Sequence, residues 1–241
     1  MVDQPGGAAG HALRELRRGW DQAPATPDVT PPGRARGGGS GERRKSAVGR
    51  RRLRCGPASG APAGAPGPAP RRDQAYAVLR IDLTAPVAEG TSKGGVLDRG
   101  YIGHYTRTAG AGQAGNFALA GHRNTHGEPF RHIDRLRRGD RITVETRDAV
   151  HTYTVDRRLV RTAPSDSGVI APVPRSNITT SAGYGEPGYH LILTTCTPEF
   201  SSCCRLIVWG QFTSIRPRRR TWETRGRTRS SCITKECRSL R

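Results

Sequence analysis

No apolar run of about 18 residues or more occurs anywhere in the 241-residue sequence, so it encodes no transmembrane helix. Nor does an apolar segment follow the first charges, as it would in a secretory signal peptide. Aromatic residues make up only 5%, against 31 glycines and 18 prolines, too little bulk for a chain folded along its whole length. The six cysteines, Cys55, Cys196, Cys203, Cys204, Cys232 and Cys237, include no C-x-x-C pair. That argues against both a zinc ribbon and a disulfide framework. The glycine-rich stretch 110–115 lacks the G-K-[ST] ending of a phosphate loop, and no internal repeat is present.

Positive charge is what the chain has in excess, with a formal net charge of +20. Residues 1–75 carry 14 basic and 6 acidic groups, residues 216–241 carry 10 and 2, and the long middle carries 16 and 12. The basicity therefore belongs mostly to the flanks. One reading makes this a basic, non-catalytic protein whose flanks bind nucleic acid or an anionic wall or membrane polymer. Against nucleic acid as a partner, Arg43-Arg44-Lys45 and Arg50-Arg51-Arg52 have no interleaved aromatics to stack on bases.

The same shift in composition sets the domains. Residues 1–75 are rich in Gly, Pro, Ala and Arg and cannot offset ordering entropy by burial, so they are expected to be disordered. Only residues 11–22, with Leu13, Leu16 and Trp20 at helical spacing, could form a short helix. Residues 76–215 form the folded domain, and 216–241 a second disordered basic tail.

Within the domain, residues 77–83 alternate as a strand that Pro86 ends, with a turn at 87–90. Residues 101–105 and 116–122 follow as strand-like runs. Residues 127–136 fit one short helix, with Pro129 in its first turn and Phe130, Ile133 and Leu136 along one stripe. Residues 141–146 and 151–155 alternate as a hairpin, and 160–174 read as loop with a short turn at 165–170. Two apolar runs close the domain, one ending on Cys196 and one opening on Arg205. About seven short strands and one short helix predict an all-β, closed or nearly closed architecture.

Three strand ends carry a thiol, an imidazole and a guanidinium: Cys196, His122 and Arg205. A cysteine nucleophile needs a thiolate and a proton source for the leaving amine, which imidazole can supply. A developing oxyanion needs a fixed donor, and arginine never loses its charge. On spacing alone the alternatives stand: a buried thiol as a small hydrophobe, a loop histidine, a solvated arginine. A metal reading of His122, His126 and His132 competes, but Arg123 follows His122 and no H-E-x-x-H helix exists. Neither a metal nor a cofactor is expected.

Ile192-Leu193-Thr194-Thr195-Cys196, followed by Arg205, resembles the T-L-x-T-C active-site strand of sortases, the cysteine transpeptidases of Gram-positive surfaces. Ile192 replaces the first threonine. Ala120-Gly121-His122-Arg123 with Thr125, Gly127 and Pro129-Phe130 is similar to the histidine segment of the actinobacterial class E members. Thr197-Pro198 and Arg205-Leu206-Ile207-Val208-Trp209-Gly210 resemble the same class.

The resemblance implies a sortase-type eight-stranded β-barrel with one or two short helices. It implies a surface-protein sorting signal of the L-A-x-T-G type as substrate and a peptidoglycan-precursor amine as acceptor. Cys196 would attack the threonyl carbonyl, His122 would protonate the leaving glycine amine, and Arg205 would hold substrate and oxyanion, with Thr195 assisting. The family works at the outer face of the cytoplasmic membrane, where an N-terminal anchor is the norm. The absent apolar run and the abrupt changes near Ala75 and Phe212 predict that the flanks are not the family's own termini. Genuine extensions and a shifted reading frame both fit that Arg/Gly/Pro/Ala bias.

Overall fold

Residues 117–120, 191–193 and 206–209 are apolar without alternation, although a strand with one wet face should alternate. The computed structural model, which describes residues 7–22, 75–80 and 84–219, supplies the reason. These runs lie in β4 (Gly115–Ala120), β7 (Tyr189–Thr197) and β8 (Cys204–Pro217), three neighbours in one sheet covered on both faces. Phe117, Leu119, Leu191, Leu193, Leu206 and Val208 point into the main core. Ala118, Ile192, Ile207 and Trp209 point the other way, where Val169 and Tyr184 of the 163–188 segment cover them.

The remaining strands are β1 (Ala75–Arg80), β2 (Thr84–Glu89), β3 (Ile102–His104), β5 (Arg141–Glu145) and β6 (Ala149–Thr162). They close the sheet into a barrel in the order β1-β2-β3-β4-β7-β8-β6-β5. Pairing is antiparallel except between β2 and β3 and between β4 and β7. The eight-stranded all-β barrel is therefore the fold of this domain. Phe130, Ile133 and Leu136, from the connection between β4 and β5, pack against the core.

Four local expectations are corrected. Pro86 does not end a strand but sits inside β2, opposite Val78 of β1, at a point where β3 has not yet begun to pair, so the strand is an edge there and tolerates a missing N–H. Residues 127–136 are not one helix. His126, Gly127 and Glu128 have φ of 53°, 82° and 47°, which breaks a right-handed spiral, and only Ile133–Arg135 forms a 3-10 turn. The stripe of Phe130, Ile133 and Leu136 still meets the core, as expected of it. β6 runs to Thr162 rather than stopping at Val155, bending through register shifts against β8 at Val155/Arg157 and Leu159/Thr162.

The fourth correction concerns the N-terminal flank. A helix, α1, spans Gly7–Gln22, longer than the expected piece, inside a region read as too poor in apolar surface to order. Ala9, Leu13, Leu16 and Trp20 recur at helical spacing and are all buried. Two ion pairs hold the helix to the barrel: Arg17 donates to Glu145 at 3.0 Å and Arg218 to Asp21 at 2.7 Å. The Arg218 guanidinium also lies over the Trp20 ring, 5.3 Å from its centroid. The expected disorder of 23–74 and 220–241, and the reading-frame question, fall outside the described residues. No helix among the described residues is long and apolar enough to cross a membrane.

Candidate active site

Strand alternation decides which side chains can meet. Ile192, Thr194 and Cys196 of β7 share a face with Arg205, Ile207 and Trp209 of β8, the face under the 163–188 segment. Cys196 and Arg205 are direct partners across this antiparallel pair, and Arg205 Nη1 donates to Cys196 Sγ at 3.7 Å. The same Nη1 donates to the carbonyls of Ser202 and Cys204 at 3.0 and 3.1 Å, which anchors the guanidinium. Among the described residues, Nε and Nη2 bond to nothing, so they remain for a ligand.

The parallel pairing of β4 and β7 sets Ala120 opposite Thr194. It continues past the end of β4: Gly121 N donates to the Thr194 carbonyl at 3.2 Å, and the Thr195 hydroxyl donates to the Gly121 carbonyl at 2.8 Å. Two residues on from Ala120 and Thr194, this register brings His122 alongside Cys196. The next residue is held as well, since Arg123 Nη1 donates to Thr197 Oγ1 at 3.4 Å. Cys196 and Arg205 thus share one face, and His122 follows β4 at the same end of the sheet.

Thr195 does not join them. It is buried on the opposite face, and its hydroxyl proton is engaged by Gly121. That bond ties the Thr195 side chain to the backbone just before His122.

Two further residues belong to the site and escape sequence reading. Asp98, in a 3-10 turn at Leu97–Arg99, lies 2.8 Å from His122 Nε2 through Oδ1. That bond orients the ring and leaves Nδ1 as the nitrogen that can exchange a proton. Gly100 ends the turn at φ 77°, and a Cβ there would stand 2.8 Å from the His126 carbonyl, so the close approach requires glycine. Arg123 is buried and also pairs with Asp134 at 3.2 Å, a strut between the histidine segment and the second 3-10 turn. Only the charge of Arg123, flanked by small residues and a histidine, hints at this in the sequence. His132, weighed as a metal ligand, contributes no atom to the cluster of Asp98, His122 and His126.

Residues 77–213 match the model of the sortase domain family. The chain belongs to the sortase family. Among curated relatives it is 49% identical over 153 residues to sortase SrtE1 of Streptomyces coelicolor, covering 60% of this chain and 42% of the relative. With sortase SrtE2 of the same organism it shares 35% identity over 130 residues, 52% of this chain and 49% of the relative. The chain thus spans about half the length, or less, of these two curated relatives. The crystal structure of Streptomyces coelicolor sortase E1 with a tripeptide in the active site is 48% identical. It aligns with a TM-score of 0.56 over 63% of this chain and 94% of that one. Sortases are cysteine transpeptidases, and the matched part of this chain, which carries the eight-stranded barrel, is similar to members of class E.

Proposed function

We propose that this sortase cleaves a sorting signal of the L-A-x-T-G type and joins the released carboxyl end to a cell-wall amine. In this reading the Cys196 thiolate attacks the carbonyl carbon of the signal's threonine, forming a C–S bond. As the tetrahedral intermediate collapses, the threonine–glycine C–N bond breaks and His122 gives a proton to the departing glycine amine. Arg205 holds the oxyanion through the nitrogens it has unused. An amine of a peptidoglycan precursor then attacks the thioester, His122 takes its proton, and the thiol is regenerated. Water resolves the same thioester as a side reaction.

The observation that carries the reading is the 3.7 Å contact of Arg205 Nη1 with Cys196 Sγ, at the end of the sheet where His122 follows β4. A guanidinium at that distance is a charge-assisted partner for a thiolate. The setting proposed is the outer face of the cytoplasmic membrane, where the family's substrates emerge and where its members are typically anchored.

The test incubates the full chain with a labelled L-A-x-T-G peptide and an amine. Cleavage, an amide product and a mass adduct of the peptidyl fragment on Cys196 are expected. A Cys196→Ala variant that cleaves as well as the parent would sink the reading.

A further inference from the structure

Just past the end of β4, three side chains bring one ligand atom each together. Asp98 Oδ1 lies 2.8 Å from His122 Nε2 and 3.6 Å from His126 Nδ1, and all three atoms lie within 4.8 Å of one another. A tetrahedral zinc ion with bonds of about 2.0–2.1 Å sets neighbouring ligand atoms about 3.3 Å apart, between the two shorter separations. The imidazole rings are a tilted pair, with centroids 5.2 Å apart at 32°, which brings the two histidines to the same side of the carboxylate.

The local backbone produces this convergence. His126 has φ 53°, a left-handed conformation that turns the chain back and returns its ring toward Asp98. A non-glycine residue there is uncommon, and His126 is followed by Gly127 and Glu128, both also at positive φ. On the other side, Gly100 lets the 3-10 turn that carries Asp98 approach the His126 carbonyl. The pocket is reachable: the side chains of Asp98 and His126 are 34% and 45% exposed, that of His122 16%.

We propose that Asp98, His122 and His126 form a binding site for a divalent transition-metal ion of the zinc type, and that its occupation switches the transpeptidase off. Two imidazoles and one carboxylate are a donor set that suits zinc, not the all-oxygen shell of calcium or magnesium. The metal takes the lone pair of His122 Nε2, and the proton that nitrogen carried is released to solvent. The bond to Asp98 that orients the ring is replaced by a metal bond, and with Nε2 held by the metal the ring cannot become imidazolium, so Nδ1 has no acidic proton to give the leaving amine. The inhibition, though not the binding, rests on the role proposed for His122.

Two measurements on the full chain test this. In the first, every thiol is alkylated with iodoacetamide and zinc is titrated against a chromophoric chelator. His126→Asn suits a left-handed position, so it removes the ligand without removing the fold. That variant and Asp98→Asn are expected to weaken zinc binding by about tenfold or more. Equal affinity in the parent and both variants overturns the site. In the second, the unalkylated chain cleaves the peptide with and without zinc, each variant scored against its own zinc-free rate. Zinc is expected to inhibit the parent, a chelator to restore it, and His126→Asn to need about tenfold more zinc. Equal sensitivity of parent and variant would assign the inhibition to the Cys196 thiol and overturn the proposal, as would zinc bound at the site with cleavage undiminished. A parent that never cleaves the peptide refutes the substrate reading, while the chelator titration still decides the metal site.

Discussion

Arg205 is the residue whose loss the geometry ranks highest after the nucleophile itself. One nitrogen is anchored to the Ser202 and Cys204 carbonyls and to the thiol, so the rest of the planar group is aimed before substrate arrives. Arg205→Ala is expected to lower kcat by about 10²–10³, the scale of one preorganised oxyanion donor. Burst kinetics should show the loss in formation of the thioester. Arg205→Lys recovers charge but not the fork, and so restores only part of the rate. Full activity in Arg205→Ala would remove the residue from the chemistry. At this scale the sequence placed a thiol and a guanidinium at strand ends, and antiparallel pairing makes Cys196 and Arg205 direct partners. Asp98 was not legible, because its meeting with His122 spans 24 positions and depends on a turn ended by Gly100. Nor was the bond of Thr195 to Gly121, because adjacent strand residues face opposite ways and its partner is 74 positions away.

Among the elements, the junction at Gly121 governs how well the histidine is held. A Cβ built on Gly121 would lie 2.8 Å from the Phe130 ring, while the Phe130 N–H donates to the His122 carbonyl at 3.0 Å. Phe130 is fully buried in the core, so its ring has little room to yield. Gly121→Ala is expected to destabilise the domain by about 1–3 kcal/mol, the usual range for overpacking. It should cut kcat more than KM, because the shift is passed to His122. Thermal melts and steady-state rates on the same preparation separate the two effects. The stretch containing Phe130 shows where pattern reading stops. Its apolar stripe correctly announced burial, but a spacing of three serves a chain of turns as well as a helix. Pro86 failed as a strand breaker because the rule bears on strands paired on both sides, and at that position β1 alone pairs.

For the whole molecule, acid sensitivity follows from two histidines away from the reaction. His151 and His190 are buried, and desolvation lowers both below the ordinary imidazole value of 6.5. His190 is stacked on Tyr184 with ring centroids 4.1 Å apart, in the layer that covers the outer face of β7. With the folded pKa below the unfolded one, the unfolded chain binds more protons under about pH 6.5, so stability is full above that value and is lost as pH falls below it. The melting temperature should therefore drop between about pH 7 and pH 5, and a His151→Gln/His190→Gln double variant should show a shallower drop. An unchanged slope would mean that other groups govern it. The barrel itself was legible as an all-β closure because six of its strands alternate or run apolar between turn signals. The α1 helix was half legible, since its stripe could be read but the barrel surface that receives it could not.

The Arg218 clasp ties the end of α1 to the end of β8. Asp21 and Arg218 are 197 positions apart in the chain and 2.7 Å apart in space. The same guanidinium lies over the Trp20 ring, so one side chain holds the helix by a charge and by an aromatic face at once. The helix and the last strand are therefore fastened to one another at a single spot, and loosening the end of either loosens the other.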